Sequence, residues 1–258
     1  MSELWHSYKA EFFKNKHSIF LRAHIVLPFL LVCLMTFTRL GKSSDLGIFS
    51  NFFKLMGFAF SLLAAVLCAL IADQEKQAGH CQIMLSKLSH KTTSFVSQLC
   101  MLLTMCLGAI FFAILLFFIS MKLILHINSI NYLLYFKTGA FIFLCVIFLY
   151  SLYLILAYHF NTAVCNITGF AGVIICAVAS TAQGDSVWMF LPWVWPIRFI
   201  NFIVMSQYKL QGKIPPKEIF FSYTQNGLNT GLTSMIIMTI CCIIFYILSF
   251  HFWEGRQK

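Results

Sequence analysis

Residues 72–91 read ADQEKQAGHCQIMLSKLSHK, the longest polar interruption in the first half of an otherwise apolar chain. On either side run stretches without in/out alternation, 49–72 and 94–121, each long enough to cross a bilayer core of roughly 30 Å as a helix. Inside a bilayer the backbone finds no water to bond, so unbroken apolar runs of this length become helices. The interruption therefore joins two spans. A few residues suffice to turn a chain, and this connection is far longer than that.

The rest of the sequence fits the same solvent. Of 258 residues 60% are hydrophobic and 10% charged, with a mean hydropathy of +0.85, which leaves too few polar groups to clothe a water-soluble globule. Further runs at 19–38, 138–158, 162–182 and 231–252 bring the spans to six and place both termini on one side. The net charge of +10 comes from Lys and Arg in short clusters beside the apolar runs. These read as interfacial and loop charges, not as a basic face for nucleic acid. The ten cysteines lie almost entirely within the spans and form no CxxC pair, so neither a disulfide framework nor a zinc site is expected. Lys9, Lys14, Lys16 and Arg22 precede the first run, and no small-residue cleavage site follows. An uncleaved first span is expected. With the N-terminus inside, nine basic residues fall on each face, so orientation rests on the first span: four basic residues precede it, against Arg39 and Lys42 after it. Both termini are accordingly expected in the cytoplasm.

Ahead of that span, Leu4, Trp5, Tyr8 and Phe12 repeat at helical spacing, with His6, Lys9, Glu11 and Lys14 on the other side. The pattern predicts an amphipathic helix lying along the membrane. Late in the chain, FLPWVWPIRFINFIVM (190–205) is apolar but interrupted by Pro192, Pro196 and Arg198. It is too short to cross, and is expected to dip into the outer leaflet or lie on it with Trp193 and Trp195 at the interface. The following KLQGKIPPKEI (209–219) reads as a loop. Span two carries Gly57, Ser61, Ala65 and Ala69 at four-residue spacing, a stripe of small residues that lets another helix approach closely.

Catalytic chemistry is not signalled. TRLGKSSD (38–45) imitates the end of a phosphate-binding loop, but Thr36 stands where that motif needs Gly. HExxH and GxSxG do not occur, and no catalytic, cofactor-binding or metal-binding residue is expected. The centres of the spans carry no Asp, Glu, Lys or Arg. Ion-coupled transporters and proton pumps usually need such groups at membrane depth, so any transport here draws its energy elsewhere. Within 72–91, Ala78, Cys81, Met84, Leu85 and Leu88 follow a helical stripe, with Lys76, Gln77, His80, Lys87 and His90 facing elsewhere. Two readings stay open: a short amphipathic helix standing off the membrane, or a solvated loop.

The succession Glu75, Gly79, Leu85, Lys87, Lys91, and within it EKQAGHCQ (75–82), resembles the type-2 ABC exporter permeases, and among them the small permease subunits of lantibiotic self-immunity transporters. EFFKNKHS (11–18) and PWVWPIR (192–198) are similar to that family as well, whereas Cys81 and the Pro-free stretch Ser86 to Ser89 depart from it. The resemblance implies an all-α integral membrane fold. Residues 1–258 would form a single type-2 permease domain with an N-terminal elbow helix, six spans, a cytoplasmic coupling helix between spans two and three, and an external re-entrant segment before span six. It implies that Glu75, Gly79, His80, Gln82 and Leu85 contact a separate ATP-binding subunit, present in two copies, which holds ATP and magnesium and hydrolyses it. This chain would itself be no enzyme and would hold no cofactor. The implied partners are a second, different permease chain, the bilayer, and a cationic amphipathic lantibiotic cleared from the plasma membrane of a Gram-positive producer. Trp193, Trp195 and Arg198 would be the candidate substrate or interface segment. Two alternatives remain: a permease of this type for a lipid, polysaccharide or drug, and a membrane protein without transport.

Overall fold

In the computed structural model, which describes residues 2–16, 18–39, 45–78, 91–127, 130–212 and 225–252, the apolar runs become helices. They are α1 (Ser2–Asn15), α2 (Ile19–Arg39), α3 (Asp45–Gln77), α4 (Lys91–Leu123), α5 (Tyr132–His159), α6 (Thr162–Ala179), α7 (Trp195–Leu210) and α8 (Gln225–His251). Short 3-10 turns at Ala182–Gly184 and Trp188–Phe190 lie between α6 and α7, and no strand occurs among the described residues. Six stretches are long and apolar enough to cross a membrane: Phe20–Thr38, Asp45–Gln77, Thr92–Leu123, Tyr132–His159, Thr162–Ala179 and Gly227–His251. The chain is an all-helical, multi-pass membrane protein.

Several helices outrun the apolar stretches that seed them. α3 and α4 have 33 residues each, about 50 Å at 1.5 Å per residue. The sequence reading leaves Lys137 outside the run at 138–158, among the loop charges; the structure puts it inside α5. A helix satisfies its own backbone in water as well as in lipid, so hydropathy marks only the part of it that meets the hydrocarbon. Local signals set the true ends. Asp45 opens α3 with a carboxylate at the positive end of the helix dipole. Asn131 and Asn161 cap α5 and α6 by accepting from Leu134 N at 3.2 Å and Val164 N at 2.7 Å. Only three residues after α5 ends, α6 begins, so the two lie as neighbours.

The centre of the bundle is α3, which packs on α5, α6 and α7, while α2 rests on α4 and α8 on α5. Ser61 and Ala65 are fully buried and Ala69 nearly so. A Cβ built on Gly169 of α6 would overlap the Cβ of Ala65, and one on Gly57 would press on Pro196 and Ile197. The small-residue stripe is thus the face on which α6 and the start of α7 come close, and dispersion between backbones drives such packing where lipid supplies no hydrophobic contrast. Towards the other end of α3, Phe49, Phe52, Phe53, Phe117 and Tyr135 form an aromatic cluster, with Phe52 stacked on Phe117 at 4.1 Å.

α1 lies across α4 with its polarity reversed from that of a helix on a soluble protein. Ser7 meets Ser97 at 2.7 Å and Tyr8 meets Thr104 at 3.0 Å, Glu11 and Asn15 are buried, and Leu4, Trp5, Phe12 and Phe13 are exposed. The side chains of the segment 188–210 turn inward, Trp195 wholly and Trp193 in part, where the sequence reading sets both rings at the membrane interface. Pro196 sits in the first turn of α7, where its fixed φ suits a helix start and its missing N–H is not needed. The residue that reads as an interruption is therefore an initiator, and most of α7 is buried inside the protein. The stripe from Cys81 to Leu88 and the tail 213–219 lie outside the described residues.

Candidate functional site

Five residues carry the expected partner contact, and the structure describes one of them. Glu75 lies in the last turn of α3, buried, with its carboxylate paired to Lys14 of α1. Gly79, His80, Gln82 and Leu85 fall outside the described residues. Next to Glu75, Lys76 folds back and its ammonium donates to the carbonyl of Ala157 at 2.9 Å, in the last turn of α5. A lysine there satisfies an orphan carbonyl and sits at the negative end of the helix dipole. Two consecutive residues of α3 thus fasten it to α1 on one side and α5 on the other. Around them the same end of the bundle is knit by side-chain bonds. Tyr158 donates to Gln98 at 2.7 Å, Tyr246 to the carbonyl of Phe95 at 2.8 Å, and Ser249 lies 2.7 Å from His159 Nε2. His159 Nδ1 faces the carbonyl of Ile155 at 3.2 Å and donates to it, so in the neutral ring Nε2 accepts from Ser249.

The second candidate set, Trp193, Trp195 and Arg198, is turned inward. Trp195 is fully buried with its ring edge-on to Phe148 at 5.5 Å, and its indole N–H donates to the carbonyl of Met189 at 3.0 Å. Trp193 lies across Gly172 of α6, where a Cβ would overlap its indole, and donates to Tyr153. Both indole N–H groups are thus engaged within the protein. Apolar bulk with one N–H suits a buried site with a single acceptor as well as it suits a headgroup boundary.

Arg198 has 1% of its surface exposed. Its guanidinium donates to the carbonyl of Ala179 through Nε at 3.0 Å and Nη2 at 2.8 Å, to the carbonyl of Thr181, and to Asp185. Ala179 is the last residue of α6, so the planar fork caps carbonyls that the helix leaves open. The charge that seems to break an apolar segment is what ties α7 to the end of α6. The sequence reading does not single out Asp185, although it is the sole acidic residue between Glu75 and Glu218. Buried arginines need a carboxylate, so that isolation is the signal that could have found it. Lys14 and Tyr153 offer no comparable signal, because their partners lie 61 and 92 residues away.

Among the described residues no three His, Cys, Asp or Glu side chains gather as metal ligands would. Many hydroxyl and thiol groups in the spans bond to backbone carbonyls of their own or neighbouring helices, as Cys165 does to Ala65 and Tyr153 at 3.3 and 3.4 Å. No protein-family model matches the sequence, and no curated protein does.

Proposed function

We propose that the chain is a permease subunit of an ATP-driven exporter that removes a cationic amphipathic peptide of the lantibiotic type from the membrane, giving self-immunity to a Gram-positive producer. The ATPase is a separate subunit in two copies, and a second permease of similar size completes the pathway. The residues of the 79–90 connection meet the ATPase, and both termini lie in the cytoplasm.

One observation carries this reading: α3 and α4 are both 33 residues long. At about 50 Å they exceed a bilayer core of roughly 30 Å. Their excess can carry the 79–90 connection clear of the lipid, to where a water-soluble partner reaches it. At its base α3 is fastened by Glu75 and Lys76, so a push on the connection passes into α1 and α5 as well. The exposed Leu4, Trp5, Phe12 and Phe13 suit an elbow helix resting in the headgroup boundary. The segment before α8, folded back onto α6, suits a re-entrant element on the outer side.

The experiment is copurification. The chain, tagged and extracted from native membranes in mild detergent, is expected to bring with it an ABC ATPase and a second permease. Recovery of this chain alone, under conditions that keep other membrane complexes whole, argues for a protein without transport. Glu75→Arg is expected to leave the protein in the membrane and abolish immunity; full immunity in that variant counts against the contact at 75–85.

A further inference from the structure

At the end of the bundle opposite Glu75, the start of α3, the end of α4, the start of α5 and the end of α7 surround a cavity of about 360 Å³. Pockets that hold small ligands run from roughly 300 to 1,000 Å³. Its floor is fixed by contacts of its own: Phe49 stands edge-on to Tyr135 with ring centroids 5.0 Å apart, and the hydroxyl of Tyr135 donates to the sulfur of Met121 at 3.6 Å. These three side chains are nearly fully buried, so the surface on offer belongs to others. Half-buried Leu46, Ile130 and Leu134 give an apolar seat, half-buried Gln207 and Tyr208 of α7 give a carboxamide and a hydroxyl, and Asp45 is exposed.

The charge of the lining selects the ligand. Among the described residues that line the cavity, Asp45 alone is charged, and no Lys, Arg or His is present. An anion finds no counter-ion there. A divalent metal ion needs several oxygen ligands and usually more than one carboxylate, and a wholly apolar molecule leaves the carboxylate and the α7 polar groups without use. A primary ammonium on an apolar body fits each part. Its N–H groups make a charge-assisted hydrogen bond to the carboxylate and have the oxygens of Gln207 and Tyr208, or water at the open mouth, for the rest. The body then lies on Leu46, Ile130 and Leu134. Leu46 follows Asp45 directly in the chain, so the charge and the apolar seat are adjacent.

We propose that this cavity binds a primary ammonium carried on an apolar body of one or two side chains in size, with Asp45 as its counter-ion. A lysine of an amphipathic peptide and a small free amine share that chemistry. In its peptide form the inference rests on the export reading, as the place where the cationic part of the substrate is held; the chemistry of the site does not.

The test uses the full chain in phosphatidylcholine nanodiscs, without ATP or a partner subunit, and two probes: para-azidophenethylamine and the same molecule acetylated on its nitrogen. After photolysis, mass spectrometry maps the label. The amine is expected to label residues 45–49, 130–135 and 207–211. The acetamide is expected to label them about three- to tenfold less, the worth of a charge-assisted hydrogen bond in part-solvated surroundings. Asp45→Asn, which removes the charge and keeps the shape, is expected to lower labelling by the amine by a similar factor and to leave the acetamide unchanged. Leu134→Trp is expected to block both. Equal labelling by the two probes overturns the proposal and needs no variant to be read; undiminished amine labelling of Asp45→Asn overturns it as well. Unlabelled competitors then name the source. Displacement by phenethylamine and by a lysine-bearing amphipathic peptide bears out the site as one for a peptide, and displacement by phenethylamine alone bears it out as one for a free amine. Because the ATPase is absent, failure of this binding leaves the copurification result standing, and failure of copurification leaves the site standing.

Discussion

The indole N–H of Trp193 donates to the hydroxyl of Tyr153 at 2.8 Å, and that hydroxyl donates in turn to the carbonyl of Ser61 at 2.6 Å. A three-member chain of bonds thus joins the segment before α7, helix α5 and the small-residue face of the central helix α3. Tyr153→Phe leaves the indole N–H and the second lone pair of Ser61 unanswered in an apolar interior. The expected loss is about 1–3 kcal/mol, read as a lower melting temperature of the detergent-solubilised protein. Tyr132→Phe, at an exposed position, serves as the control and is expected to change nothing.

Arg198 gives a sharper contrast. Removing it as Arg198→Ala strips donors from the carbonyls of Ala179 and Thr181 and leaves Asp185 without its cation, and is expected to cost about 3–5 kcal/mol. Arg198→Lys should rescue little, since an ammonium cannot present the planar fork to three acceptors. Asp185→Asn should be mild, because the Asp185 side chain is 39% exposed and water replaces part of what is lost. Melting curves of the three variants check the order; an Arg198→Lys protein as stable as the parent would remove the fork from the explanation.

The Lys14–Glu75 pair calls for a double-mutant cycle. Glu75 is buried but Lys14 is 42% exposed, so screening limits the coupling to about 1–2 kcal/mol. Lys14→Ala and Glu75→Ala should each destabilise the protein, and the double variant should fall short of their sum by that amount. Additive losses would mean that the two side chains do not act as a pair.

Gly172→Val sets a side chain against the indole of Trp193. Neither the α6 backbone nor the ring has room to move without breaking the bond to Tyr153, so the expected result is a loss of several kcal/mol, at the upper end for overpacking. Gly108→Ala, where a Cβ meets nothing within 4 Å, should be neutral or slightly stabilising, as Ala is the better helix former. Thermal stability in the same detergent separates the two.

Orientation can be read chemically. In a background without the native cysteines, a cysteine at the exposed Gln183, in the turn after α6, is expected to react with a membrane-impermeant maleimide added to intact cells. Labelling that needs lysis inverts the topology.

Much of the architecture could be read in the residues. The six apolar runs gave the spans because hydropathy reports the solvent directly, and Gly57, Ser61, Ala65 and Ala69 repeat at helical spacing, which fixes a face. What such reading does not give is which helix meets that face. Gly169 of α6 is the answer, and it lies more than a hundred residues from Gly57. The inward turn of the side chains at 190–205 has a physical root. Proline, arginine and tryptophan in an apolar run have the same composition whether they lie at a membrane surface or start a buried helix tied by a guanidinium, and only the position of Ala179 and Asp185 separates the two. Helix ends were misjudged for the reason that Lys137 illustrates: charge ends a hydrophobic run without ending a helix.

The inverted polarity of α1 makes it a float. On the proposed elbow reading its exposed residues Leu4, Trp5, Phe12 and Phe13 would settle at the depth where oil meets water, while Lys14, at its far end, is tethered to the base of α3 through Glu75. The height at which α3 rides in the bilayer is then gauged against the surface itself. On that reading a thicker or thinner membrane would reach the core of the protein as a tug on one ion pair.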